Sequence, residues 1–268
     1  MTRTQRSAEA LELPTEDRYA DVVESSLELT SRYGGTVPTL VFRPVGDGPH
    51  PAVVLGVEAF GINDFGRRVA ATLAHLGYVV VVPDYYRGAG LKDPENYSDF
   101  TEVMSFIEAL DFTAGAHDQL TAVDYAASLD YVDSTRIAVW GYCTGATLSL
   151  LAAELSDRVA AAILFFPSQP TFPELTRSRP VHAIDLLWAL RCPTLFIYGD
   201  QDDVMPAASA DDLRERLSRW DVDHQINIYP GAGHAFSAPE PPLRNDAADR
   251  AAWPDAVTFL DEHTAAAR

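Results

Sequence analysis

The strongest constraint on this chain is a set of short apolar runs, residues 52–57, 78–83, 136–142, 160–166 and 194–198, that do not alternate in polarity. A strand wetted on one face alternates, whereas a strand buried on both faces reads as a continuous apolar run, as in a parallel sheet. Between the runs lie segments with helical spacing. In 64–76, Val69, Leu73 and Leu76 recur at that spacing, Asn63 can cap the start, and Gly77 ends it. Further helices are expected over 98–129, broken near Gly115, over 144–155, an amphipathic stretch, over 207–220 and over 246–266, with a sixth strand at 225–229. Strand and helix therefore alternate, which predicts an α/β fold with a mostly parallel central sheet and helices on both faces.

At the front, residues 26–30 and 37–42 flank Tyr33-Gly34-Gly35-Thr36, a β-hairpin pattern. Residues 1–22 have no clear period and are expected to form a flexible extension. Residues 23–268 have the length of a single domain around one core. The Pro-bearing stretch 167–190, with Pro170, Pro173 and Pro180, is expected to be irregular.

The chemistry concentrates at the ends of the strands. Gly141-Tyr142-Cys143-Thr144-Gly145 joins the third run directly to a helix. A sharp strand-to-helix turn has no room for side chains at its flanks, and it lifts the central side chain above the carboxyl edge of the sheet. The amide N–H groups and positive dipole end of the helix then favour a thiolate there. Cys143 is thus a candidate nucleophile, and such a thiol needs a base held by a carboxylate.

The order expected of this turn is nucleophile, acid, histidine. After the fifth run comes Gly199-Asp200-Gln201-Asp202-Asp203-Val204-Met205-Pro206, and after the sixth strand comes Pro230-Gly231-Ala232-Gly233-His234-Ala235-Phe236. His234 is the candidate base. Asp202 leads as the acid, three residues after Gly199 and four before Pro206, with Asp200 and Asp203 as turn or surface alternatives. A carboxylate at the end of an all-apolar strand, Glu58, is costly to bury without a partner and belongs near the same site. The amides of Ala59 and Thr144 are the expected oxyanion-hole donors.

Other function classes are disfavoured by charge and pattern. With 20 Lys+Arg against 39 Asp+Glu, the chain carries a net charge of −19, which would repel nucleic acid and anionic membranes alike. The apolar runs are far too short to span a bilayer. Two cysteines make no disulfide framework, and residues 1–20 lack the apolar core of a signal peptide, so the cytoplasm is the expected compartment. Cys192 reads as a packing residue. His50, His75, His117, His182, His224 and His263 show no metal-ligand spacing. Neither a metal nor a cofactor is expected.

These motifs together, with Glu58-Ala59-Phe60-Gly61 and Pro83-Asp84-Tyr85-Tyr86, resemble the dienelactone hydrolase family over about residues 25–265. The resemblance implies an α/β-hydrolase fold, a Cys143, His234, Asp202 triad, and a small-molecule ester or lactone as substrate. It also implies that Glu58 pairs with the resting thiol, holds it away from His234, and helps deprotonate it when substrate arrives. Members that open dienelactones grip a substrate carboxylate with two arginines. Arg87 can supply the first, while Ala238 stands at the second, and Ala146 replaces a usual glycine. Phe60, Tyr85, Tyr86 and Phe236 are expected to line the substrate pocket. The alternatives are a carboxylesterase or thioesterase acting on neutral substrates, and a silent hydrolase-fold binding protein.

Overall fold

The computed structural model describes residues 19–91, 101–205, 208–239 and 241–265. Most of the expected extension, the expected helix starts at Ser98 and Ala207, Pro206, and the helix end at Ala266 lie outside these residues. The hairpin is β1 (Val22–Thr30) and β2 (Thr36–Pro44), antiparallel from Val22↔Pro44 to Thr30↔Thr36. The apolar runs form β3 (His50–Gly56), β4 (Val79–Pro83), β5 (Val132–Tyr142), β6 (Val159–Phe165) and β7 (Thr194–Gly199), and β8 (His224–Tyr229) follows. They assemble into one eight-stranded sheet in the order β1-β2-β4-β3-β5-β6-β7-β8. From β4 to β8 every pairing is parallel, as the unbroken apolar runs require.

Helix α1 (Asp64–His75) is capped by Asn63, whose side chain accepts from the Gly66 amide. Phe65 of α1 packs edge-on to Tyr142 at 5.2 Å, and Trp253 of α6 (Asp246–His263) packs on Trp140 at 5.3 Å. Both helices therefore cover the face of β5 that bears these two rings. The opposite face is covered by α3 (Phe112–Ser128) and α4 (Thr144–Glu154). The remaining helices are α2 (Thr101–Ala109) and α5 (Ala208–Arg219).

Three local expectations are corrected. The 98–129 stretch breaks at Leu110–Asp111, because Asp111 caps α3 by accepting from the Ala114 amide. Gly115 lies inside α3 instead, where a Cβ would stand 2.9 Å from the Leu148 side chain, so it serves helix contact. Helix α4 is not amphipathic: each of its residues is buried, because the sheet, α3 and the following segment enclose it. The 167–190 stretch also contains a short 3₁₀ helix, Ala183–Ala189. Among the described residues no helix is long and apolar enough to cross a membrane.

Candidate active site

Cys143 stands between β5 and α4 with φ 51° and ψ −119°, a region that L-residues occupy only under constraint, at a cost of about 1–3 kcal/mol. The constraint is steric interlock. A Cβ on Gly145 would lie 2.1 Å from the Val57 carbonyl oxygen, and one on Gly56 would lie 2.5 Å from the Gly145 carbonyl oxygen. The elbow thus rests directly on the end of β3, which brings Glu58 beside the nucleophile. The Cys143 amide donates to the Phe165 carbonyl at 3.0 Å, tying the turn to the neighbouring strand.

A second close approach joins acid and base. A Cβ on Gly199, at the end of β7, would lie 2.0 Å from the Ala232 carbonyl oxygen in the loop after β8. Gln201 N–H donates to that carbonyl at 2.8 Å, and the Asp200 carboxylate accepts from Gly231 N–H at 2.7 Å. Asp200 is thereby a loop fastener. Asp202 is buried, 3 % exposed, and accepts from the Val204 and Met205 amides at 2.9 Å each. Its carboxylate meets His234 Nδ1 at 3.0 and 3.2 Å, while His234 Nε2 faces Cys143 Sγ at 3.2 Å. Of the three candidate aspartates, it is Asp202 that meets the imidazole.

Electrostatics sharpen this contact. Burial alone would push the Cys143 thiol up, but the charge and hydrogen bond of His234 outweigh it and hold the thiol below its ordinary value. Burial likewise works against His234, and Cys143 together with Asp202 reverses that and raises the imidazole. The favoured pairing is a thiolate beside an imidazolium. Ser168, which follows β6 and is 4 % exposed, adds a hydrogen bond that lowers the thiol further. Its amide donates to the Cys143 carbonyl at 3.2 Å, and its carbonyl accepts from the Thr147 hydroxyl. The sequence reading missed Ser168, since a serine in a Pro-rich loop carries no distinguishing pattern.

Glu58 is 3 % exposed, and burial pushes its carboxyl up to about 7, against the lowering effects of Asn63 and His234. Its oxygen accepts from Asn63 Nδ2 at 3.0 Å, so Asn63 holds Glu58 with one end of its amide and caps α1 with the other. This differs from the expected resting arrangement in which Glu58 holds the thiol away from His234. The thiol faces His234, because the imidazole is fixed by Asp202 and lies within hydrogen-bonding reach of sulfur.

The Ala59 and Thr144 amides donate to no protein group among the described residues, as an oxyanion hole needs. Tyr85 donates its hydroxyl to the Val57 and Glu58 carbonyls at 2.9 and 2.8 Å, bracing the strand end, and its ring lies 4.6 Å from that of Tyr86. Phe60 is buried at the same turn. Phe236 is fully buried and packs edge-on to Phe166 at 5.2 Å; it is Phe166 that presents its ring to His234, at 5.3 Å.

Arg87 is a correction. Its Nε and Nη2 donate to Asp118 at 3.1 and 2.9 Å, and its Nη1 donates to the Gly34 carbonyl at 2.9 Å. Asp118 is fully buried and also accepts from Ser31. The guanidinium therefore ties α3 to the hairpin, with three of its five N–H groups committed there. Ala238 is itself buried, 1 % exposed, and its carbonyl accepts from Arg244 Nη1 at 3.2 Å, while Arg244 Nη2 donates to Asp249 at 3.0 Å.

A parallel sheet with a strained cysteine turn after its central strand, and with acid and histidine after later strands, defines the α/β-hydrolase fold. A crystal structure of a Klebsiella pneumoniae protein described as "Putative Dienelactone Hydrolase" superposes with a TM-score of 0.80 at 24% identity, covering 90% of this chain and 99% of the other. The chain belongs to the dienelactone hydrolase family, whose family model matches residues 37–264. A Salmonella typhimurium relative described as "Putative carboxymethylenebutenolidase" is 28% identical over 221 residues, 82% of this chain and 80% of the relative. A Bradyrhizobium relative described as "Probable 2-oxo-3-(5-oxofuran-2-ylidene)propanoate lactonase" is 28% identical over 224 residues, 82% of this chain and 87% of the relative.

Proposed function

We propose that this protein hydrolyses a carboxylic ester or lactone by covalent catalysis at Cys143. The observation that carries this reading is the continuous line Asp202 to His234 to Cys143 Sγ, with contacts of 3.0 and 3.2 Å. The thiolate adds to the carbonyl carbon, and the oxygen that gains the electron pair is met by the Ala59 and Thr144 amides. His234, which holds the proton, gives it to the departing alkoxide as the thioester forms. It then takes a proton from water as that water attacks the thioester, releasing the carboxylic acid, which ionises to solvent, and restoring the thiolate–imidazolium pair. Glu58 neighbours both members of that pair. With its carboxyl raised to about 7 it exchanges a proton in the range where such a reaction runs, and so serves as an auxiliary proton site.

The relatives' names point to lactones. A neutral ester is the second reading, and one observation favours it: Arg87, the candidate carboxylate grip, is spent on Asp118. The test is turnover on an anionic dienelactone beside neutral aryl esters of increasing acyl length, for the wild type and Cys143→Ala. The expected result is a loss of at least ~10³-fold in the variant with its fold intact. Retained activity excludes Cys143 as nucleophile, and inactivity across the panel overturns the ester and lactone reading.

A further inference from the structure

Glu58 and Asn63 stand five residues apart on the turn between β3 and α1, and both are buried, 3 % and 2 % exposed. The turn is pinned at each end. The Glu58 carbonyl accepts from the Gly61 amide at 3.0 Å and from the Tyr85 hydroxyl at 2.8 Å, and the Asn63 carbonyl accepts from the Arg67 amide at 3.0 Å. A Cβ on Gly66 would lie 3.0 Å from Val57 Cγ1, so the first turn of α1 sits hard against the end of β3.

The Asn63 amide can point only one way. Its oxygen meets the Gly66 N–H at 3.0 Å, which leaves the nitrogen to face Glu58 Oε1, also at 3.0 Å. The flipped amide would set donor against donor and oxygen against carboxylate. The positive end of the α1 dipole polarises this amide and strengthens its N–H toward Glu58. Oε1 is therefore a committed acceptor. Oε2 has no hydrogen-bond partner among the described residues and is not sealed from solvent. A neutral Glu58 must carry its proton on Oε2. The titratable groups that feel the charge of this carboxyl are Cys143 at the elbow, His234 after β8, Tyr85 after β4 and Tyr142 of β5, while Asp64, beside Asn63, is exposed. Burial opposes its ionisation, and Asn63 and His234 favour it.

We propose that Asn63 is the positioning residue of this site: by holding Oε1 against the start of α1, it leaves Oε2 as the single oxygen that exchanges a proton beside the thiolate–imidazolium pair. The role rests on the hydrolytic reading above, in which Glu58 is the auxiliary proton site. The start of α1 thereby sets the pH at which that proton site works. Loss of the amide donor should move this pH upward, since the ionised form loses a hydrogen bond while burial is unchanged.

The test follows the Glu58 carboxyl itself, by carbon NMR on the full chain labelled at its glutamate carboxyls, the resonance being the one absent from Glu58→Gln. Asn63→Ser keeps a capping oxygen for α1 but ends short of Oε1, and Asn63→Asp keeps both cap and size but offers no donor. In Asn63→Ser the midpoint should rise by about 1–2 pH units, the worth of one hydrogen bond to a charged group. Asn63→Asp should raise it at least as far, because a like charge is added, and it decides the matter if Asn63→Ser fails to fold. The inflection of kcat against pH that Glu58→Gln abolishes should move by the same amount. A midpoint that stays near 7 or falls overturns the proposal. A midpoint that rises while the kcat profile stands still overturns it too, because the contact then holds the carboxyl without serving the reaction. Inactivity on every ester and lactone is a failure of the hydrolytic reading, and the carboxyl titration, which needs no substrate, judges the Asn63 contact separately.

Discussion

Replacing Glu58 by Gln should make the protein more stable in alkaline solution and slower at its reaction. In the unfolded chain this carboxyl ionises near its ordinary value of 4.5, and in the folded protein near 7, because burial removes it from water. Below pH 4.5 both states hold it neutral, and the site does not penalise folding. As pH rises the unfolded chain ionises first, so stability is lost progressively up to about pH 7 and stays lost above it. The gap between the two values corresponds to about 3 kcal/mol. Glutamine stays neutral, and its amide oxygen still accepts from Asn63, so it escapes that loss. For a chain of 268 residues, 3 kcal/mol is worth roughly 6 °C in melting temperature. Melting followed by circular dichroism from pH 5 to pH 9 is the assay. The two proteins should lie close together at pH 5, with the variant roughly 6 °C above the wild type by pH 9. Turnover should fall by ~10²-fold, the usual worth of a positioned proton-transfer group. Melting curves that stay parallel across that range would refute the claim that Glu58 ionises in a desolvated site.

The remaining expectations separate the roles of neighbouring groups. Asp202→Asn should lower kcat by on the order of 10⁴-fold, since the imidazole loses its orienting partner. Asp200→Asn should do far less, and the reverse order would reassign the acid. Ser168→Ala should move the pH dependence of Cys143 alkylation upward, because one hydrogen bond to the thiolate is gone; an unmoved profile would show that Ser168 only shapes the loop. Arg87→Ala should cost about 3 kcal/mol in urea unfolding, toward the low end for a broken buried ion pair because Arg87 is itself partly exposed. It should leave the ratio of KM values for anionic and neutral substrates unchanged, and a selective rise for anionic lactones would restore Arg87 as a carboxylate grip.

What the sequence revealed followed from local rules. The unbroken apolar runs announced the parallel sheet, and the paired glycines around Cys143 announced a turn too tight for side chains. Asp202 was separable from Asp200 and Asp203 by its place in the loop alone. The features that stayed hidden depend on partners far away in the chain. Gly115 looked like a helix breaker because its neighbour Leu148 was not visible, and Asp111 gave no sign that it would cap α3. Helix α4 looked amphipathic because Thr144, Thr147, Ser149 and Glu154 are polar, yet all are buried. Arg87 stood at the right distance from a family motif, but a buried carboxylate 31 residues later claims its charge. Phe236 and Phe166 likewise exchanged places, since only the packing decides which ring faces the imidazole.

The position of His234 makes the sulfur a reporter on the edge of the sheet. It follows β8, the edge strand, which among the described residues pairs with β7, whereas Cys143 follows β5 in the middle of the sheet. The supports of the elbow come from β3, β6 and its own helix, so the turn itself makes no use of β8. The charge that lowers the thiol does depend on it, because His234 is carried by the loop that β8 delivers. The rate at which iodoacetamide caps Cys143 should therefore fall whenever the edge strand is loosened, even where the elbow keeps its shape.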